Sequence, residues 1–74
     1  TMDHAGTYTQ SGTAITVTSN GHGLTSGVKI QIDFETGSSV DGTYVVTVVN
    51  ANQFTLVGAS ASTSGNCRFK VLYL

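Results

Sequence analysis

Few residues of this 74-residue chain could do chemistry. His22 stands between Gly21 and Gly23, where an imidazole could bind a metal or act as a base. No second His, Cys or carboxylate lies at ligand spacing from it, so the structural reading prevails: a ring that bonds backbone groups across a turn. His4 sits near the start of the chain and is expected to be frayed and solvated. Cys67 is the lone cysteine. A nucleophilic thiol needs a nearby base and a depressed pKa; a buried, small hydrophobic role fits the residues around it better. Asp33 and Glu35 are two apart in an alternating stretch, hence on one face. Such pairs can serve glycoside hydrolysis or hold calcium, but here they read as the solvated side of a strand. Asp41 shapes a turn with Gly42. The glycines make no phosphate loop, because no Lys-Ser/Thr pair and no helix follows them. No catalytic residue, cofactor site or metal site is assigned, and the chain is read as a non-enzyme.

Aromatic residues could stack on sugars. Tyr44 and Tyr73 fall on expected core faces, which leaves Tyr8 as the exposed candidate. Tyr8, with His22 and Leu24, defines a candidate ligand loop.

Composition narrows the classes further. Charged residues make up 9% of the chain and the net charge is −1, against a usual quarter charged. Lys29, Arg68 and Lys70 are the only cations, too few to neutralise a run of phosphates, so no nucleic-acid partner is expected. No apolar run approaches the roughly 20 residues of a membrane span. Hydrophobic content of 39%, rich in Val, Ile, Thr, Tyr and Phe, opposes disorder and favours strands. A chain this short hides only about 60% of its unfolded surface, and with one cysteine it has no internal disulfide to staple it. A tightly packed core or a partner subunit must supply the difference.

These residues must be positioned by strands, since no stretch shows a helical period. Six strands are expected. Thr7 to Gln10 is a short polar edge, followed by a turn at Ser11-Gly12. Ala14 to Ser19 alternates, with Ile15 and Val17 on one face. Asn20-Gly21 is a tight-turn signal and His22 to Gly27 a loop. Val28 to Phe34 points Val28, Ile30, Ile32 and Phe34 inward and Lys29, Gln31, Asp33 and Glu35 outward. Thr36 to Asp41 is a polar loop. Thr43 to Val49 carries Tyr44, Val46 and Val48 on one face, and Val45 and Val49 on the other, which points to cover on both faces. Asn50-Ala51-Asn52 is a short hairpin connection into Gln53 to Gly58. Ala59 to Gly65, small and polar, is expected to be a flexible loop. Asn66 to Leu74 closes the chain, with Cys67, Phe69, Val71 and Tyr73 inward. Leu72 and Leu74 share the outward face with Arg68 and Lys70. Two leucines there either cover the open end of a barrel or meet another subunit. Turn signals at this spacing predict an all-β domain, a small six-stranded, mostly antiparallel, barrel-like sandwich over residues 1–74, with residues 1–6 a flexible N-terminus.

The order His22-Gly23-Leu24, Gly27, a Val-x-Ile strand, Asp41-Gly42-Thr43-Tyr44-Val45-Val46 and Asn52-Gln53-Phe54-Thr55-Leu56 resembles a β module repeated in phage tail, fibre and other virion proteins. It is also similar to the small β insert of ubiquitin-activating enzymes, the first catalytic-cysteine half-domain. The similarity spans roughly Thr13 to Val57. It departs from the family at Val28-Lys29, where an acidic residue is common after the glycine. The resemblance implies a barrel-like sandwich and a virion structural role, with the His-Gly-Leu segment shaping a turn. The enzyme insert does not hold the catalytic thiol, so no ubiquitin chemistry passes to Cys67.

Together these readings predict a non-enzymatic assembly module of a phage-like virion: a tail, fibre or decoration part, virion-borne or extracellular. It would act through apolar and edge-strand contacts with its own copies, a trimer first, or with a larger virion protein. Arg68, Lys70, Leu72 and Leu74 are the expected contact surface. The alternative is a small glycan- or receptor-binding β module that meets host-surface glycans.

Overall fold

The structure, a computed structural model, describes residues 4–72; Tyr73 and Leu74 lie outside them. It is all-β and antiparallel, with five strands: β1 (His4–Thr18), β2 (Lys29–Phe34), β3 (Gly42–Val45), β4 (Thr47–Asn50) and β5 (Gln53–Val71). The sheet order is β1-β5-β2-β3, and β4 also pairs with β5.

Five strands replace the expected six because two expected loops are strand, which merges four strands into two, and one expected strand is divided in two. The turn at Ser11-Gly12 and the loop Ala59 to Gly65 lie opposite one another, from Tyr8↔Gly65 to Gly12↔Ala61. They merge their flanking strands into the 15-residue β1 and the 19-residue β5. Small polar residues read as loop, but from Ala61 to Gly65 each has a backbone partner, and the ladder needs no bulk on its outer face. The expected strand Thr43 to Val49 is divided at Val46, whose backbone bonds instead to Gly27 and Val28 (2.8 and 2.9 Å). Residues 4–6, expected to be flexible, are paired with Phe69, Arg68 and Cys67. His4 is half-buried and stacks on Phe69 at 5.1 Å.

β5 is shared by two halves of the sheet. Its first part pairs with β4 and the end of β1; its last part pairs with β2 and the start of β1. Between them the β1–β5 ribbon turns a corner, marked by a register shift between Gly12 and Ala14. Both strands change phase there. Tyr8 and Gln10 point inward before it, Ile15 and Val17 after it; on β5, Phe54 and Leu56 point inward before it, Cys67 and Phe69 after it. A bulge allows this inversion because extra residues on one strand rotate the following side chains to the other face.

The bent sheet encloses one core: Tyr8, Ile15, Val17, Ile30, Ile32, Phe34, Val46, Phe54, Leu56, Cys67 and Phe69. Phe54 and Phe69 meet edge to face at 5.2 Å, a favourable aromatic geometry. The sheet is not closed: among the described residues no ladder joins the two ends of β1. They approach closely all the same. The Ser19 hydroxyl donates to the Ala5 carbonyl at 2.9 Å, and Gly6 lies against Thr18.

That approach requires glycine at position 6. A Cβ there would stand 2.6 Å from the Thr18 carbonyl oxygen and 3.3 Å from the Ser19 Cβ. The obstacle is backbone, so it cannot rotate away. We predict that Gly6→Ala destabilises the fold by about 1–3 kcal/mol, whereas Thr7→Ala, at an exposed neighbour, stays within about 0.5 kcal/mol. Urea unfolding midpoints at equal m-value check both.

Candidate functional site

Of the polar groups singled out in the sequence, His22 and Asp41 serve the scaffold. His22 is buried, 5% exposed. Its Nδ1 accepts the Leu24 N–H at 2.9 Å. Its Nε2 therefore carries the proton, 2.7 Å from the Asn50 carbonyl and 3.3 Å from that of Gln53. The ring also sits edge-on to Phe54 at 5.3 Å. Ser19 N–H and Gly21 N–H donate to the backbone and side-chain oxygens of Asn52. The loop after β1 is thus sewn onto the β4–β5 hairpin, with His22 as the central stitch. Gly21 takes a φ of 63°, and Asn20 stays in ordinary backbone space. Leu24 is half-buried and packs against the core.

Tyr8 requires a correction. It was expected to be exposed and free to stack on a sugar; it is 2% exposed. Phe34 covers it at 4.6 Å, and its hydroxyl donates to the Thr36 carbonyl at 2.7 Å. The reason lies in phase: Tyr8 precedes the corner and so faces the core. Of the proposed ligand loop, Tyr8 and His22 are buried and Leu24 is half-buried.

Gln10 was not expected to matter, yet it is buried at the corner. Its Nε2 donates to the carbonyls of Gly12 (3.0 Å) and Ala59 (2.6 Å), and its Oε1 accepts from the Ser39 hydroxyl. The alternation Tyr8-Thr9-Gln10 carried a signal of inward direction, but a polar residue there reads as surface. Asp41 accepts the Phe34 N–H at 2.7 Å and so pins the loop between β2 and β3. The same loop is held by Ser38 N–H on Thr63 Oγ1 and Asn66 N–H on Thr36 Oγ1, at 2.9 and 2.8 Å. Desolvation first, then the neighbouring Asp41 carboxylate and Glu35, pushes the Asp33 carboxyl upward. Burial, then Asp41, raises the Tyr44 phenol, whose hydroxyl donates to the Val40 carbonyl.

The expected contact residues lie at the end of β5. Arg68 is exposed, opposite Asp33 in register, with Nε 3.4 Å from Glu35 Oε2. Lys70 is half-buried opposite Gln31. Leu72 is 37% exposed, and its N–H donates to the Lys29 carbonyl at 3.0 Å. Leu74 lies outside the described residues.

More apolar surface is exposed elsewhere. Val45 and Val49, expected under cover, are 53% and 57% exposed, and Val57 is 79% exposed. Val45 points outward at the end of β3, just before β4 in the chain, and Val49 and Val57 stand on the outer face of the half-sheet β4–β5–β1. There Thr47, Thr55 and Thr16 form one row across three strands, and Val57 is opposite Ala14. Val45 ends β3, where it is paired with Lys29 of β2. Gln53, between Asn50 and Thr18, completes a third row and donates to Thr18 Oγ1 at 3.2 Å. This face carries no charge. The charged residues among those described, Lys29, Asp33, Glu35, Asp41, Arg68 and Lys70, gather on or beside β2 and the end of β5.

Compared with known proteins, the chain matches no family model, no curated protein and no solved structure.

Cys67 is 1% exposed. Burial first, then the Glu35 carboxylate, pushes its thiol from about 9 up to about 11. Below about pH 9 the thiol is neutral in the folded and unfolded chain alike, and no stability is lost. From there to about pH 11 the unfolded thiol ionises while the folded one keeps its proton, so stability falls as pH rises. The loss across this window is about 2–3 kcal/mol. We predict that Cys67→Ala flattens this alkaline slope in urea titrations. We also predict that a thiol reagent labels the native chain only at its unfolding rate.

Proposed function

We propose that this chain is a non-enzymatic structural and assembly module of a phage-like virion, a tail, fibre or accessory decoration part. One observation carries the reading. His22 and Asp41 are committed to holding turns and Gln10 to the corner, while valine and threonine side chains stand outward on a neutral face. Such a surface suits contact with protein rather than the turnover of a substrate. The virion setting rests on the resemblance of the His22-Gly23-Leu24, Gly42-Thr43-Tyr44 and Asn52-Gln53-Phe54-Thr55-Leu56 segments. The turn-shaping place of His22 agrees with it.

We read the bent sheet as a barrel-like sandwich, supported by the meeting of Ala5 and Gly6 with Thr18 and Ser19. In this reading Arg68 and Lys70 at the end of β5 and Leu72 just after it, together with Leu74 outside the described residues, are the contact onto a larger virion protein. The glycan-binding alternative loses its support with Tyr8, since among the described residues no tyrosine or phenylalanine is fully exposed.

Gold-labelled antibody against the chain, applied to particles from the culture that produces it, tests the setting. Labelling at one structural position, such as a tail or fibre, is expected; unlabelled particles with the chain free in solution overturn it. On such particles Leu72→Asp is expected to cut incorporation at least tenfold while the isolated chain unfolds at the same urea concentration, within about 0.5 kcal/mol.

A further inference from the structure

The neutral face of β4, β5 and β1 is built like the inside of a sheet-on-sheet contact and is left uncovered in the single chain. Around Val46 the chain alternates two apolar sets: Val46 and Val48 go to the core, and Val45 and Val49 go out. A strand apolar on both sides is the pattern of a strand covered on both sides. Nothing in the described chain covers the outer one. The face is also regular. Three strands present the rows Thr47–Thr55–Thr16 and Asn50–Gln53–Thr18, and Val57 stands opposite Ala14 beyond the first of them.

Charge and size together identify the occupant. Lys29, paired with Val45, borders the face at one rim, and the other described charges lie on the other half of the sheet. A partner with a charged surface would have its ions desolvated against valine and threonine with no counter-charge to meet them. A second copy of this face brings no charge into the centre and opposes no like charges there. With strands about 4.8 Å apart and same-face residues about 6.7 Å apart along each, the rows cover about 14 by 20 Å. That is well below the roughly 800 Å² per partner of a standard stable interface. One such contact is therefore weak and reversible, and it gains strength only where many copies are held together.

We propose that the outer face centred on Val57 and Thr55 is a self-association surface, on which a second copy of this chain packs face to face. The proposal deepens the assembly reading above and rests on it.

The test is a dilution series of the wild-type chain from about 2 mM to about 10 µM, bracketing weak binding, read by amide NMR shifts and sedimentation velocity. Expected is reversible association with shift changes gathered on Val45–Val49, Gln53–Val57 and Ala14–Thr18, and at least a tenfold weakening in Val57→Lys. Val57 points fully outward, so this variant keeps its fold, checked by an unchanged urea midpoint. Association whose shifts gather instead at Arg68–Leu72, and which Val57→Lys leaves intact, overturns this surface but leaves the assembly reading standing. A monomer throughout the series overturns self-association, while the gold labelling above judges the virion role separately. Shifts on this face with an unrelated protein but never with the chain itself also overturn the proposal.

Discussion

The side-chain amide of Gln10 holds the corner on which the two halves of the sheet depend. Where the β1–β5 ribbon bends, the ladder loses its regular register and leaves carbonyls at Gly12 and Ala59 facing inward. A buried carbonyl without a donor costs on the order of 1–3 kcal/mol. One amide nitrogen serves both, and its oxygen takes the Ser39 hydroxyl from the neighbouring loop. Among the described residues no buried side-chain nitrogen or oxygen is left unpartnered. The corner lets one 19-residue strand, β5, contribute to both halves. In a chain without disulfides it does the work that a covalent staple does elsewhere.

The inner faces were legible in the sequence wherever alternation was strict. Ile30, Ile32 and Phe34, Phe54 and Leu56, and Cys67 and Phe69 all point inward as their period-two pattern required. The hairpin at Ala51-Asn52 was equally plain. What escaped was pairing without hydrophobicity. Ser62, Thr63 and Ser64 have no apolar signal, yet they lie opposite Ser11, Gln10 and Thr9 in an unbroken ladder. Backbone hydrogen bonds make that segment a strand, and composition cannot report them. Tyr8 escaped for a related reason: its direction depends on the phase change at Gly12, which no local pattern announces. The outward valines were visible as a second apolar set at Val45 and Val49, but alternation alone could not say that nothing in the described chain covers them.

The two halves of the sheet present different surfaces to solvent. On the half with β2 and the end of β5, charges of both signs are interleaved and partly satisfied within the chain, as in the Arg68–Glu35 pair at 3.4 Å. Such exposed pairs contribute little to stability, but they keep that side hydrated. The other half presents methyl and hydroxyl groups at regular intervals. The loops around it are tethered by His22, Asn52 and Ser26, the last accepting the Val48 N–H at 2.8 Å. The molecule thus shows two differently solvated sides with little freedom to exchange them, and any assembly it joins receives it in a defined orientation.

The pairing of β1 with β5 also governs how the chain comes into being. The first strand, from His4, finds its partner only in a segment that ends at Val71. The chain must be synthesised as far as Phe69 before the ribbon can zip along its full length. Contacts between such distant stretches are formed late and at a high cost in chain entropy, so folding falls in the millisecond-to-second range typical of nonlocal β topologies. Until then β1 leaves the ribosome as an unpaired strand of threonine, alanine, isoleucine and valine, without proline or lysine to deter a stranger. In a crowded polysome, with many copies made side by side, the interval before β5 appears is when this protein is most exposed to pairing with the wrong chain.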